Sequence, residues 1–529
     1  MPGFEVRVLP EDKPVVAEAG VSLKHALAAA FIPLRGNCGG KGACGQCRVR
    51  VGSEWVLSCL YTVDRDITVW VPEYSRAPRD EPLRDAAYDA RYAGRPHEVC
   101  VRPEPAASGP LHLAVVIGTT TLSLALVDAY GKTVSEHRMF NPQVVFGEDV
   151  ISRIIYAEEN PGGLLEMRHS VTSEINRHVR AMCKGIRLVA SLDVKSATVA
   201  GNTTMLHILL GRDIAPIRRE ALALEALRGV VGRAEEFGLG LGPGALVTVL
   251  PQVSCFVGGD VVSGVLASGM AESDDVRLLV DIGTNGELVL GSRQWMVGCA
   301  CSAGPAFEGG GVTWGMPAVA GAIERVDIDP ITLAPSARTI GGGTPFGICG
   351  SGLISALSAL LGTGLIDRSG RFGGHAKGFV LAESSAGEMI VLTEADVANL
   401  IRAKAALYAG ARTLLRATGL CWQDLCEILV AGGFGNSLDL ERAVSIGLLP
   451  DLDRKVFRFV GNTSLEGAKR AARYPDDAAE AERTARSITY IDLAQDHSFL
   501  DEFVAASFLP HTDMAQFPTA ARGRLEPAP

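Results

Sequence analysis

Two hydrophobic patterns divide this chain. Near the N-terminus "FEVRVLP" and "PVVAEAG" alternate apolar and polar residues, which predicts two short strands paired as a hairpin. "SLKHALAAAFIP" changes to helical spacing, with Ser22 as N-cap and Pro33 as the stop. "VLSCL" and "DITVWVPE" return to strand character. From residue 111 the runs become continuously apolar, as in "LHLAVVIG" and "VRLLVDIG", which suits strands covered on both faces of an α/β sheet. Between the two regimes, 76–110 is rich in Pro, Arg and acidic residues without sustained periodicity. It reads as a linker with one short helix near "LRDAAYDARYAG".

The second regime repeats itself. "LHLAVVIGTTTLSLALVDAYG" and "VRLLVDIGTNGELVLGSRQ" share a plan of strand, Gly-Thr turn and strand, so that Ile282, Gly283 and Thr284 answer Ile117, Gly118 and Thr119. Each copy has a further apolar strand ending in a glycine turn, at Gly201 and at Gly432–Gly433. A third such turn closes the region in "FRFVGNTSLEGAKRAA". Duplication of this kind predicts two similar α/β lobes facing one another across a cleft. The expected organisation is an N-terminal module over 1–75, the linker, a first lobe over 111–275, a second over 276–510 and a tail over 511–529. "DHSFLDEFVAASFLP" predicts an amphipathic helix docked on the core of the second lobe.

Composition changes the picture little. An apolar fraction of 47% and a charged fraction of 21% describe a folded protein with large cores. No uncharged apolar run is long enough for a membrane span, and no secretory pattern opens the chain, which points to the cytoplasm. A net charge of −10 without a basic run argues against nucleic acid as a partner.

The cysteines change it a great deal. "LRGNCGGKGACGQCRVRVGSEWVLSC" places Cys38, Cys44, Cys47 and Cys59 at spacing C-x5-C-x2-C-x11-C among glycines. A disulfide framework fits a long chain without a secretory signal poorly. Structural zinc usually takes two short knuckles, and one is present. A plant-type [2Fe–2S] cluster takes three thiolates from one loop and a distant fourth, near this spacing. Glycines suit it, because the backbone must turn sharply beside the sulfides. Strand, strand, helix, cysteine loop and strand then read as a β-grasp ferredoxin, a one-electron carrier. The eight other cysteines read as small buried hydrophobes; Cys299-x-Cys301 and Cys421-x4-Cys426 lack the companions of a second cluster.

The Gly-Thr turns suit phosphate. Backbone N–H groups and hydroxyls at such a turn meet anionic oxygens without a bulky side chain intervening. Asp281, at the end of the second strand, can hold Mg²⁺ through water or orient an attacking water. Two turns in duplicated register, with "AGGFGNS" later, point to a nucleotide. His112, His137 and His207 show no metal-ligand spacing and read as structural.

"IGTTT", "DIGTNGE" and "AGGFGNS" resemble the phosphate-1, phosphate-2 and adenosine motifs of the sugar kinase, actin and heat-shock-chaperone ATPases. "NPQVVFGEDVISRI", "GNTTMLHILLG", "SCFVGGDVVSG", "AGPAFEGGG" and "GICGSGLIS", joined to a ferredoxin module, resemble the ATP-dependent reductive activators of corrinoid proteins. The resemblance covers the N-terminal module and nearly all of 111–510. It implies a multidomain α/β chain, a [2Fe–2S] β-grasp domain joined to a two-lobed actin-like ATPase with ribonuclease-H-like lobes. It implies ATP and Mg²⁺ as well as the cluster, and reduction of Co(II) to Co(I) in a corrinoid protein or cobalamin-dependent methyltransferase, fed by a low-potential electron donor; it also allows a homodimer. On this reading Cys38, Cys44, Cys47 and Cys59 hold the cluster, and Asp281 is catalytic. Gly118, Thr119, Thr120 and Thr121, with Gly283, Thr284 and Asn285, take the phosphates. Gly432, Gly433 and Gly435 lie near the adenosine. Larger members carry an extra middle domain, for which 76–110 leaves little room.

One departure stands out. Both phosphate loops of that superfamily begin with aspartate, yet Val116 stands where the second loop has Asp281. Valine neither binds metal nor accepts a proton, so ATP binding with low basal hydrolysis and strict dependence on Asp281 is the expectation. Glu148 or Asp149 could substitute, although a helix cap is their plainer reading. Glu308 and Ser302, in "CSAGPAFEGGG", face either the cleft or a docked corrinoid, or belong to a connecting loop. Two other functions compete: a non-hydrolysing electron-transfer adaptor, which Val116 keeps open, and an activator of a radical dehydratase, against which the ferredoxin module argues.

Overall fold

The computed structural model describes residues 3–30, 32, 34, 42, 47–72, 75–76, 109–147, 149–186, 188–219, 226–374, 376–384, 387–432, 438–473 and 475–522. Cys38, Cys44, Glu148, Gly433, Gly435 and the linker over 77–108 lie outside them. The N-terminal strands are β1 (Gly3–Leu9), β2 (Lys13–Glu18), β3 (Arg48–Val51), β4 (Glu54–Leu57) and β5 (Ile67–Trp70), arranged β2-β1-β5-β3-β4. β1 runs parallel to β5 and antiparallel to β2, the β-grasp arrangement. The alternation in β1 does what it predicts: Val6 and Val8 are fully buried and Glu5 and Arg7 are exposed. The helix Leu23–Ala29 lays Leu23 and Leu27 on that core. Ser22 caps it by accepting from the His25 amide, and it ends before Pro33.

Two six-stranded sheets come next. The first contains β6 (Leu111–Ile117), β7 (Thr121–Val127), β8 (Thr133–Phe140), β9 (Val194–Gly201), β10 (Val230–Arg233) and β11 (Leu246–Val249), in the order β10-β11-β9-β6-β7-β8. The second begins with β12 (Arg277–Ile282), β13 (Gly286–Ser292) and β14 (Trp295–Cys301). A three-stranded sheet of β15 (Ala322–Ile328), β16 (Pro335–Thr339) and β17 (Gly347–Ile348), and a hairpin of β18 (Gly378–Glu383) and β19 (Met389–Thr393), intervene. β20 (Glu427–Ala431), β21 (Phe457–Gly461) and β22 (Ile488–Tyr490) complete the order β21-β20-β12-β13-β14-β22. The run β11-β9-β6-β7-β8 in one sheet thus matches β21-β20-β12-β13-β14 in the other, which is the duplication read from the sequence.

The near-continuous apolar character of β6 comes from cover on both faces. The long helix Gly163–Gly185 packs on one face through Met167, Val171 and Ile175. On the other lie Gly259–Ser268 and two helices from far along the chain, Thr463–Arg473 and Pro475–Ser487. These last two sit at positions expected to belong to the second lobe, yet Leu465, Ala468 and Ala472 pack with Ala114, Val116 and Ala200 of the first. The chain crosses back only with β22. The crossing is tight: Ser263 Oγ donates to the Ser464 carbonyl at 2.6 Å, and a Cβ on Gly467 would sit 1.9 Å from the Ser263 carbonyl oxygen. The helix His497–Ala506 docks on the core of the second lobe through Phe499, Phe503 and Ala506, as read, but it also buries Glu502 and leaves Leu500 and Val504 outward, so its polar and apolar faces are mixed.

Candidate active site

The turns after β6 and β12 meet head to head. Thr120 Oγ1 lies 2.6 Å from Thr284 Oγ1, and Thr284 Oγ1 donates in turn to Glu308. Around this contact opens a cleft. Of the residues read from the sequence, Gly118, Thr119, Thr120, Thr121, Asp281, Gly283, Thr284, Asn285 and Gly432 all line it. Gly432 has φ +112, and a Cβ there would lie 2.3 Å from the Ile282 carbonyl oxygen, so the chain passes the end of β12 where only glycine fits.

The first turn is held from behind. Asn141 Nδ2 donates to the Gly118 carbonyl at 2.7 Å, Arg153 Nη2 to the Thr119 carbonyl at 2.6 Å, and the Asn141 amide to the Thr120 carbonyl at 2.8 Å. Carbonyl and amide of one planar peptide point opposite ways. Fixing three successive carbonyls on the lobe side therefore leaves the amides of Thr119 and Thr120 toward the cleft. Asn141 and Arg153 belong to the "NPQVVFGEDVISRI" segment, whose part in the site the sequence did not disclose. Asp149 in that segment is the N-cap of the helix Val150–Glu159, accepting from the Ser152 amide at 2.7 Å. It does not substitute for an aspartate at Val116.

Four carboxylates face the cleft: Asp260, Asp281, Glu287 and Glu308. Burial, with the charges of Asp260 and Glu308, pushes Asp281 up to about 7, against a hydrogen bond from Ser464 and the pull of Arg138. Burial raises Asp260 to about 6 despite the amide of Val261 at 3.0 Å. Burial and then its neighbours Asp260 and Asp281 hold Glu287 well above the carboxylate range. Burial raises Glu308 too, opposed by Thr284 and Arg138. All four remain part-exposed to the cleft, where water softens the effect of burial. Such mutual repulsion is relieved by a divalent cation. Among the described residues no three His, Cys, Asp or Glu groups converge on a direct metal cage. The donor set therefore suits a hard cation that keeps most of its waters.

The sequence reading placed Asp281 and left Glu308 undecided; it missed Asp260, Glu287, Arg138, Asn202, Asn462 and Ser464. The repeated Gly-Asn-Thr after β9 and β21 was the available signal for the two asparagines, since each caps the following helix and delivers it to the cleft. Ser302 is exposed and does not line the cleft.

In the N-terminal module Cys47 is buried at the start of β3 and Cys59 is part-buried after β4. The Ser58 amide donates to the Cys47 carbonyl at 3.0 Å, which ties the two cysteine segments together. Gly42, between Cys38 and Cys44 in sequence, has φ +73, and a Cβ there would meet Leu60 at 2.4 Å, so Gly42 itself lies beside the Cys59 turn. The Ser58 hydroxyl is fully buried without a partner, a donor suited to a cluster sulfur. Those features fit an iron–sulfur cluster. None of the described cysteines is disulfide-bonded; Cys421 and Cys426, read as buried, are exposed.

Comparison with known proteins decides the family. Residues 6–68 match the 2Fe-2S iron-sulfur cluster binding domain, 111–273 the RACo middle region, and 275–521 the C-terminal domain of RACo, the ASKHA domain. A corrinoid activation enzyme, RamQ of Eubacterium limosum, is 32% identical over 421 residues, covering 74% of this chain and 69% of that one. This chain belongs to the family of corrinoid activators. A reductase of a Co(II) methylated amine-specific corrinoid protein, from Methanosarcina barkeri, is 30% identical over 42% of this chain and 44% of its own. The solved structure of a reductive activator for a corrinoid, iron-sulfur protein is 36% identical over 98% of this chain and 100% of its own, with a TM-score of 0.71. The match to the middle region, over 111–273, takes in the strands of the first sheet and the helices Gly163–Gly185 and Gly259–Ser268. In common with the sequence reading, no helix among the described residues is long and apolar enough to cross a membrane.

Proposed function

We propose that this chain uses ATP held between its two lobes to drive one electron from a [2Fe–2S] cluster to a Co(II) corrinoid protein, yielding Co(I). The observation that carries this reading is the likeness, over 98% of the chain, to a reductive activator for a corrinoid, iron-sulfur protein, beside this chain's own matches to a 2Fe-2S cluster binding domain and an ASKHA domain. Cys38, Cys44, Cys47 and Cys59 hold the cluster, which supplies a single low-potential electron received from an external donor. The turns at Gly118–Thr121 and Gly283–Asn285 bind the phosphates through amides and hydroxyls. Gly432, with Gly433 and Gly435, lets the backbone approach the adenosine. Asp281 holds hydrated Mg²⁺ and positions the attacking water, with Asp260 and Glu308 beside it. Closure of the lobes on ATP and partner together would couple hydrolysis to the electron step.

The non-hydrolysing adaptor reading loses ground to the carboxylate ring, since an idle cleft has no use for four clustered carboxylates. The test is anaerobic reduction of a Co(II) corrinoid protein, followed by Co(I) absorbance with and without ATP. Asp281→Asn should slow ATP turnover by roughly a hundredfold or more. Unchanged turnover in Asp281→Asn, or Co(I) formation indifferent to ATP, would overturn the reading.

A further inference from the structure

The duplicated lobes carry opposite charge at matching positions. In the second sheet Asp281 pairs with Glu287, which pairs with Ala300 on β14. In the first the same three steps read Val116, Ser123 and Arg138, the last on β8. Two carboxylates have gone and a guanidinium has been added. That guanidinium lines the cleft, and it is the sole basic residue among the described residues that do so. It makes no hydrogen bond or ion pair with a described residue, and its Nε is buried without a partner. Asp281 and Glu308 feel its charge from a distance.

An arginine held only for structure is ordinarily paired, because a half-buried charge without partners is costly. Here the missing partner is an anion. A polyphosphate entering a ring of four carboxylates needs more positive charge than one hydrated cation brings. Arg138 is placed to provide it, and its planar fork matches two phosphoryl oxygens.

We propose that Arg138 is a catalytic residue that contacts the terminal phosphoryl group of ATP and stabilises the charge that develops there. This assignment rests on the ATP-hydrolysing reading above. In the step, the oxygen of water bonds to the γ-phosphorus and the bond to the β,γ-bridging oxygen breaks. ADP leaves with that electron pair, and the water's proton passes through Asp281 to solvent as inorganic phosphate forms. Arg138 holds the equatorial oxygens throughout and takes no proton. The first lobe thus compensates with a cation on β8 for the carboxylate absent at Val116.

The experiment uses the full-length, cluster-loaded protein with a Co(II) corrinoid protein present. Wild type, Arg138→Ala and Arg138→Lys are compared for ATP turnover, for calorimetric binding of ADP and of a non-hydrolysable ATP analogue, and for thermal unfolding. Arg138→Ala should lose about 10²–10³-fold in kcat, the scale of removing a preorganised donor to a developing charge. Binding of the ATP analogue should weaken about tenfold relative to ADP, Tm should hold, and millimolar guanidinium should restore part of the turnover. Arg138→Lys should recover only part, lacking the two-pronged fork. Equal turnover in wild type and Arg138→Ala would overturn the assignment, as would parallel loss of ADP and ATP-analogue binding with a fallen Tm and no guanidinium rescue. A wild type that neither binds nor hydrolyses ATP would instead bring down the functional reading itself.

Discussion

The site is built by side chains that hold backbone in place. Asn141 and Arg153 take the carbonyls of Gly118, Thr119 and Thr120, so the protein itself holds the turn after β6 in one orientation. Preorganised donors act without reorganisation at the moment of binding. Asn141→Ala frees the Gly118 carbonyl and removes the N-cap bond that Asn141 makes with the Gln143 amide at 3.0 Å. Leaving such buried groups unsatisfied costs about 1–3 kcal/mol. Calorimetry should therefore show nucleotide affinity about tenfold weaker, with ADP and ATP affected alike because the turn, not the terminal phosphoryl, has been disturbed. Unchanged affinity would mean that the turn keeps its shape without Asn141. Val116 fits the same logic: it is 8% exposed and packs with Ala114 and Ala200, so the lost carboxylate has become part of the lobe's core.

At the scale of elements, the crossing of Gly259–Ser268 and Thr463–Arg473 decides the cleft. The second of these helices begins at the turn carrying Asn462 and Ser464, and Ser464 Oγ donates to the Asp260 carbonyl at 3.0 Å. Asp260 and Asp281 are thus brought together by a helix that leaves the second sheet and packs on the first. Gly467 is the pivot, because any Cβ would strike the Ser263 carbonyl. Gly467→Ala should destabilise the chain by roughly 1–3 kcal/mol, the usual cost of overpacking, and weaken nucleotide binding by displacing Ser464. Gly185→Ala is the contrast: a Cβ there meets nothing within 4 Å at the end of a helix, so stability should hold or rise slightly. Thermal unfolding of the pair checks this; matching shifts would show that the crossing is not tight.

Over the whole molecule, cluster and cleft belong to separate folding units, each with its own core. Their functions should separate accordingly. Cys44→Ser should abolish the visible absorbance of the cluster and the reduction of Co(II), while nucleotide binding stays within about threefold of wild type, since each domain has its own core and can fold alone. Loss of nucleotide binding together with the cluster would show that the cleft depends on the ferredoxin module. A second outcome belongs at this scale. ATP turnover should be slow alone and rise when a Co(II) corrinoid protein is added, because docking favours the closed lobes. Equal rates with and without every such partner would contradict coupling through closure.

The sequence by itself determined the chemistry that depends on short spacing. The cysteine intervals, the two Ile-Gly-Thr turns and the change from alternating to continuous apolar runs are all set within a few residues, where backbone geometry leaves little choice of conformation. The duplication was legible for the same reason, as two local patterns that agree. Even Val116 could be seen, because its register with Asp281 is counted along one strand. What only the tertiary structure decided was convergence. Asp260, Glu287, Glu308, Arg138 and Ser464 come from five separate elements, and their meeting depends on two sheets and a crossing pair of helices packing in one way. Membership of the lobes was decided there too, since Thr463–Arg473 leaves a strand of one sheet and buries its alanines on the other. Its amphipathic pattern declares that a face is buried, and the partner of that face is chosen by close packing between distant segments, which no local pattern encodes.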